Sequence, residues 1–517
     1  MKKIRYKFSL LKEITQKGSG FTIVELLVVI VVIGILASIA MVSYSGITLK
    51  ATSAVLQSDL RNASTILEMD KAKNGVYPDT EAEANDGKGL PKSASTEYQY
   101  TVQNGEYYLS ATTSKTNEVA YYTSSTTSGY VADGVWSGHV APGGGTVDTT
   151  SWSQLSLNNQ PQSCAITAGK AYCWGAGAND STTDSSIPFA VNTSGVLGGK
   201  TITAISQGSS FICAVASGQA YCWGTNWAGQ LGNNSTTDSS TPVAVNTSVA
   251  LSGKTVTAIS AGSDFACAIA SGQAYCWGHN GYGQLGNNSA TDSSIPVPVD
   301  TTGVLAGKTI TAISTGKNFT CAIADSQAYC WGGNSDGQLG TWAANERIPL
   351  AVDTSGVLGG KAVTAISTGS AHTCAVASGQ AYCWGRNANG QLGNNSTTTI
   401  DVPVAVSTAD ALSGKTVTAI STATYNTCAV ASGKAYCWGY NYYGQLGNNS
   451  TADSLIPVAV DTSNMLSGKT VTAISSGYSH SCVIADDQVY CWGSNTYGEL
   501  GNSSTTSSYV PVAISSI

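Results

Sequence analysis

Two cysteines stand nine positions apart seven times along this chain. The pairs are Cys164 and Cys173, Cys213 and Cys222, Cys267 and Cys276, Cys321 and Cys330, Cys374 and Cys383, Cys428 and Cys437, and Cys482 and Cys491, and they use all 14 cysteines. Such thiols can ligate metal, exchange electrons or cross-link the chain. Zinc wants four ligands, commonly as two close pairs or with histidine, and one pair per repeat cannot supply them. A redox Cys-x-x-Cys is absent. In "CAVASGQAYC", Ser217-Gly218 is a turn signal between two apolar runs. A two-residue hairpin loop sets Ala216 opposite Gln219 and, counting outward, Cys213 opposite Cys222. That pair is non-hydrogen-bonded, with Cα atoms about 4.5 Å apart. This lies at the short end of disulfide reach, about 4.4–6.8 Å. The turns Ala168-Gly169, Asp325-Ser326 and Asp486-Asp487 differ in type but keep the length, so the register survives. Seven staples and no metal are predicted, in an oxidising compartment. Each closes a loop of about ten residues, worth roughly 2–3 kcal/mol in the chain-entropy model.

No catalytic constellation accompanies them. The four histidines (139, 279, 372 and 480) are scattered over different segments. No His-x-x-x-His pair, P-loop or Gly-x-Ser-x-Gly elbow is present, so neither an enzyme nor a cofactor is expected. Asn/Asp-rich stretches such as "GNNSTTDSS" lack the dense Asp pattern of calcium loops and read as hydrogen-bonded turns. The formal charge is −7, and the first 20 residues hold six Lys/Arg against one Glu. Without them the chain is at about −12, which argues against nucleic acid as a partner.

The elements that position the cysteines repeat with them. A unit of 49 to 54 residues recurs seven times from about residue 151, measured between second cysteines. One copy reads "TVTAIS-AGSD-FACAIA-SG-QAYCWG-HNGYGQLGNNSATDSS-IPVPV". Four short apolar or alternating runs, separated by Gly, Ser, Asn and Pro, predict four strands, A to D. Seven units of four suit a seven-bladed β-propeller. The wording resembles the regulator of chromosome condensation family, whose repeat carries Trp-Gly-x-Asn-x-x-Gly-Gln-Leu-Gly and then a Pro-Val strand. "GQLG" recurs at 229–232, 283–286, 337–340, 390–393 and 444–447, and as "GELG" at 498–501. Unit 1, "CWGAGANDSTTDSSIP", is five residues shorter, lacks the motif and is expected to be a modified closing blade. The family's frequent His after the strand-A Gly is here mostly Phe211, Phe265, Phe319 or Asn426, with His only at 372 and 480. The family's nucleotide-exchange activity depends on surfaces of particular members, and nothing here carries it over.

The N-terminus has a different grammar. A basic leader precedes Gly20 and Phe21; then residues 26–42 carry no charge, and 23–42 are long enough to cross a bilayer as a helix. A secretory signal would end in a small-residue cleavage site after the apolar run, whereas here Gly20 and Phe21 stand before it. "GFTIVEL" resembles the type IV prepilin family. The resemblance implies that a prepilin peptidase cuts between Gly20 and Phe21, that the Phe21 amine is methylated, and that Glu25 meets a neighbouring subunit's amine during assembly. The leader would be cytoplasmic. The helix is expected to continue through Ala54, Leu56, Leu60, Ile66 and Leu67 and to stop at Asn74-Gly75 and Pro78. "YQYTV" and "EYYLSAT" flank a hairpin signal, and "VAYYTS" is a candidate third strand. The predicted organisation is a leader (1–20), a pilin-like helix and small head (21–137), a Gly/Ser/Thr-rich linker (138–151) and the propeller (152–517). The fold class is α+β: a long N-terminal pilin helix with a small β head, followed by an all-β seven-bladed propeller.

In a four-stranded meander the A–B and C–D loops share one face. That face varies between units while the other repeats "SGQ" turns and "SGKT" connectors. After the strand-C Gly come Thr225, His279, Gly333, Arg386, Tyr440 and Ser494, and two positions on come Trp227, Gly281, Ser335, Ala388, Tyr442 and Thr496. Aromatic and Arg side chains are favoured anchors, so Trp227, Arg386, Tyr425, Tyr440, Tyr442 and Tyr478 are the candidate ligand-binding residues. Tyr282, Tyr443 and Tyr497, at a position where the family often has Tyr, are expected to be structural, as are the Trp of "CWG" and the Leu of "GQLG". The reading is a minor pilin or pilus-associated adhesin that binds a surface protein or glycan. It would reside in the cytoplasmic or inner membrane before assembly with other pilin subunits, and then on the cell surface. The alternative is a pseudopilin of a type II secretion-like system.

Overall fold

The computed structural model describes residues 59, 62–93, 96–103, 106–113, 120–124, 132–133, 151–158, 160–179, 183–515 and 517. Gly20, Phe21, Glu25, the apolar run 23–42, helix positions 54, 56 and 60, and His139 lie outside them. The chain forms two compact units, divided between Thr149 and Thr150.

In the first unit, residues 62–74 are helical. The helix ends where Gly75 takes φ +80°, a left-handed conformation that glycine adopts without steric cost, and donates its N–H to the Lys71 carbonyl at 2.8 Å. Its buried face, Ala63 and Leu67, packs with Tyr77, Ala84, Leu90, Tyr107 and Leu109. An antiparallel sheet follows, with strands Thr96–Gln103, Glu106–Thr113, Ala120–Ser124 and Ala132–Asp133 in sequential order. The first two pair with Gln103 opposite Glu106, a two-residue connection. The buried Asp59 carboxylate accepts hydrogen bonds from the Ser93 N–H (2.8 Å) and the Thr96 hydroxyl (2.5 Å), tying the helix to the start of the sheet. The Ala132–Asp133 strand was not expected, because two residues carry no periodicity.

The second unit is a seven-bladed propeller. Among the described residues it consists of seven four-stranded antiparallel sheets, each built from four consecutive strands. Blade 2 is typical: Ile202–Gln207, Phe211–Ala216, Gln219–Gly224 and Ser239–Ala244. Blades 1, 3, 4, 5, 6 and 7 open with Trp152–Leu157, Val256–Ala261, Ile310–Thr315, Val363–Thr368, Val417–Thr422 and Val471–Ser476. Strand B is buried at all six positions in blades 2 to 7, because neighbouring blades cover both of its faces. This is why it reads as a continuous apolar run. The core therefore lies between blades. One cluster joins Phe265, Cys267 and Leu285 of blade 3 to Ala322, Tyr329 and Trp331 of blade 4.

The cysteine register is as the turn length dictates. Cys213 faces Cys222, and the B–C turn has φ +48° at Ser217 and +76° at Gly218, the signature of a type I′ hairpin. All seven pairs are disulfide-bonded, with Cα atoms 4.0–4.1 Å apart.

Among the described residues no strand is shared across the closing junction, and two repeated contacts shut the ring instead. First, the last residue of each strand A donates its N–H to a Ser hydroxyl of the preceding blade. Examples are Thr315 to Ser260 (3.0 Å), Thr368 to Ser314 (3.1 Å) and, across the closure, Leu157 to Ser475 (3.0 Å). Second, the "CWG" indole donates to the middle carbonyl of the preceding "GQLG" turn, as in Trp277 to Gln230 and Trp331 to Gln284, each at 2.9 Å. At the closure Trp174 donates to Glu499, also at 2.9 Å. The Leu of that turn is fully buried in all six copies (for example Leu285 and Leu339). Blade 1 closes the ring without a motif of its own. Trp223 of blade 2 accordingly has no such acceptor among the described residues, and it lines a cleft of about 380 Å³ beside Ala176 and Gly177 of blade 1.

Candidate functional site

The variable loops come together as the meander requires. In blade 6 the Tyr440 N–H of the C–D loop donates to the Tyr425 carbonyl of the A–B loop at 3.0 Å, and His279 and Asp264 repeat this contact in blade 3 at 2.9 Å. The C–D loops are braced from inside. Asn280, fully buried, donates through its side-chain NH2 to Asn287 Oδ1, Ser289 O and Thr291 O, while its Oδ1 accepts the Leu285 N–H at 3.0 Å. Asp292 accepts the Asn280 N–H at 2.7 Å. The Asn/Asp-rich stretches are thus consumed in shaping the loop. Among the described residues no group of three or more His, Cys, Asp or Glu converges as a metal site.

On this scaffold lies a continuous aromatic surface. Tyr425 packs edge-on to Tyr440 and to Tyr478, with centroids 6.0 Å apart in both cases. Tyr440 stacks beside Tyr442 at 6.4 Å, and Tyr442 meets Tyr443 at 5.1 Å. The Arg386 guanidinium lies 5.7 Å from the Tyr425 ring centre. Five of the six candidates are therefore one cluster across blades 5 to 7. Trp227 stands apart from it, in blade 2, 5.6 Å from His279, with its indole N–H 3.3 Å from Asp264. Burial, reinforced by Tyr443 and other neighbours, raises the Tyr440 and Tyr478 hydroxyls above their ordinary value of 10, so both are neutral donors near pH 7.

Three tyrosines read as structural have a second aspect. Tyr282 and Tyr497 are 45% and 46% exposed, and Tyr443 is half-buried within the cluster. The Tyr282 and Tyr443 N–H groups bond Gln284 and Gln445 Oε1, a backbone contact that Ala228, Asp336 and Asn389 make at the same position in other blades. Their rings nonetheless belong to the face. Trp342, 75% exposed in the divergent C–D loop of blade 4, was missed, although it interrupts the otherwise regular Asn-Asn-Ser run. The "CWG" tryptophans are core as expected, and so are His372 and His480. The His372 Nε2 lies 2.9 Å from Thr427 Oγ1, whose hydroxyl donates to the Gln391 carbonyl, so Nε2 carries the proton and Nδ1 is bare.

Comparison with known proteins agrees with this architecture. The profile of the RCC1-like domain matches residues 154–483, and that of the regulator of chromosome condensation (RCC1) repeat matches 471–499 and 486–517. The chain belongs to the RCC1-like domain family. A prokaryotic N-terminal methylation motif matches residues 16–41. The ultraviolet-B receptor UVR8 of Arabidopsis thaliana is 29% identical over 293 residues, 55% of this chain and 63% of that protein. The human E3 ubiquitin-protein ligase HERC2 is 30% identical over 253 residues, 48% of this chain and 5% of that protein. The chain thus spans less than two thirds of the relatives it matches. Among solved structures, human WBSCR16 aligns with TM-score 0.56 at 20% identity, covering 64% of this chain and 85% of that one. Prp20p of Saccharomyces cerevisiae aligns with TM-score 0.57 at 18% identity, covering 70% and 87%. These likenesses show the fold.

A methylation motif joined to an RCC1-like propeller marks a surface or pilus-associated protein. The motif implies processing by a prepilin peptidase, contacts with other pilins, and a chain first anchored in the membrane and then extracellular; the seven disulfides fit that location. Among the described residues no helix is long and apolar enough to cross a membrane, and the run 23–42 lies outside them.

Proposed function

We propose that this chain is a minor pilin or pilus-associated adhesin, with no enzymatic step, that presents its propeller to a ligand on another surface. The N-terminal segment anchors it: cleavage after Gly20 frees Phe21, and Glu25 pairs with a neighbouring subunit's amine. A carboxylate beside a bilayer-length apolar run is costly unless paired. The helix and small sheet of the first unit form the pilin-like head. A propeller of this size would crowd a filament made of this subunit alone, which favours a tip or sparse position.

One observation carries the reading: the contiguous tyrosine cluster of Tyr425, Tyr440, Tyr442, Tyr443 and Tyr478, half-buried to exposed, on the face where the repeats differ. Tyr442 is 67% exposed, and an apolar ring left in water on a rigid loop is the form that binding anchors take. The opposite face instead uses its lysines internally. Lys254 donates to the Ala250 carbonyl and lies over Tyr275, and Lys308 pairs with Asp325 at 3.6 Å.

The test is adhesion of cells carrying Tyr440→Ala with Tyr442→Ala, against Lys254→Ala with Lys308→Ala as control. The tyrosine pair should weaken adhesion while surface display stays normal. Loss in the control alone means that the other face binds. No effect in either removes the adhesin reading and leaves the propeller as a cap on a secretion pseudopilus.

A further inference from the structure

Blade 4 departs from its neighbours at one position of the variable face. Where other blades carry Thr225, His279, Arg386, Tyr440 or Ser494, it carries Gly333. The backbone does not demand glycine there, since Gly333 is not among the residues of positive φ. A Cβ would meet the Asn318 carbonyl at 3.4 Å and the Tyr282 ring at 3.7 Å, ordinary contacts. A cleft of about 350 Å³ opens over Gly333, one of several between neighbouring blades on this face. That is within the range of small-molecule sites, about 300–1,000 Å³.

The chemistry of the cleft is distinctive for so acidic a chain. Lys317, from the A–B loop of blade 4, and Arg386, from the C–D loop of blade 5, both line it. Among the described residues neither has an ion-pair partner, whereas Lys308 and Lys469 on the opposite face are paired with Asp325 and Asp486. Arg386 is held over the Tyr425 ring, which orders its guanidinium without neutralising it. Tyr282 and Tyr425 flank the space, Ser335 and Asn345 give it short polar walls, and Asp336 sets one carboxylate beside the two cations.

We infer that this cleft binds a carboxylate-bearing saccharide. The inference rests on the adhesin reading of the same face. A guanidinium fork matches a carboxylate with two parallel hydrogen bonds, and the flexible Lys317 ammonium supplies a second charge. The tyrosine rings offer flat apolar surfaces to the C–H face of a pyranose. The serine, amide and Asp336 groups accept and donate to ring hydroxyls. An acidic peptide would satisfy the cations and leave those short polar walls unused.

The test uses the full-length chain in detergent, oxidised, and immobilised oligomers of galacturonate, glucuronate and sialic acid, with their methyl esters and poly-glutamate as comparisons. The wild type should bind at least one acid form tenfold or more tighter than its ester and than poly-glutamate. Lys317→Gln with Arg386→Gln should lose that binding, and Gly333→Phe, which fills the cleft without changing charge, should lose it too. The charge pair lies on the surface, so its result stands even if Gly333→Phe fails to fold. Binding that ignores esterification, equal binding of poly-glutamate, binding unchanged in the charge pair, or no binding of any acid sugar overturns the inference. If no acid sugar binds while the tyrosine pair still abolishes cell adhesion, this inference falls and the adhesin reading stands. If acid sugars bind but adhesion ignores the face, the adhesin reading falls.

Discussion

The Gln338 carbonyl at the seam of blades 4 and 5 accepts two buried hydrogen bonds, from Trp384 Nε1–H at 2.9 Å and from Thr373 Oγ1–H at 2.8 Å. Trp384 and Thr373 are fully buried. Thr373→Val removes one donor and keeps the shape, so it should cost a net hydrogen bond, ~0.5–1.5 kcal/mol. Trp384→Phe removes the other and empties part of the ring volume, adding ~1–2 kcal/mol to a similar loss. After either single change the carbonyl retains one partner. In the double variant this carbonyl of a 4% exposed residue has no protein partner, which adds a penalty of ~1–3 kcal/mol. The pair should therefore be worse than the sum of the singles by that ~1–3 kcal/mol. Hydrogen exchange on the oxidised full-length chain reads this locally, as the opening free energy of amides in His372–Ala377 and Gln380–Gly385. An interaction energy of zero or of the opposite sign would refute the shared acceptor. Trp223→Phe supplies the contrast. Its junction lacks the turn carbonyl, so the change should cost ~1 kcal/mol less than Trp384→Phe.

Acid should destabilise the propeller through His372 and His480, whose side chains burial pushes down from 6.5 to about 3. Below pH 6.5 the unfolded chain takes protons that the folded one refuses. Stability should then fall by about 1.4 kcal/mol per pH unit for each His until near pH 3. Replacing both by Phe, the residue at this position in blades 2 to 4, should flatten the dependence of the denaturation midpoint between pH 7.5 and 5; an unchanged slope contradicts it. Non-reducing peptide maps should link Cys213 to Cys222 and its equivalent in every blade, and any bridge between blades would break the hairpin-register argument. Gly20→Leu should block processing, whereas Glu25→Ala should leave processing intact and impair filament incorporation. A mature-sized band from the first, or normal filaments from the second, would count against those roles.

Strand count, blade number and cysteine register were legible because each depends on short-range spacing. A two-residue turn fixes which residues face each other, and seven copies multiply that signal. The buried roles of the "CWG" tryptophan and the "GQLG" leucine were legible for the same reason, since identity across repeats tracks identity of packing. The exposure of the Tyr282 and Tyr497 rings was not legible from repetition, because the loop bond at this position is made by the backbone N–H whatever the side chain. How the ring closes was not legible. It depends on Leu157 reaching Ser475 and Trp174 reaching Glu499, contacts more than 300 residues apart in sequence. The Gly333 cleft was equally hidden. It is a void bounded by blades 3, 4, 5 and 6, and such a gap becomes a site only when the fold places Lys317 and Arg386 on its walls. Local spacing determined the blades, and only the closed ring, by setting distant loops side by side, decided what they present.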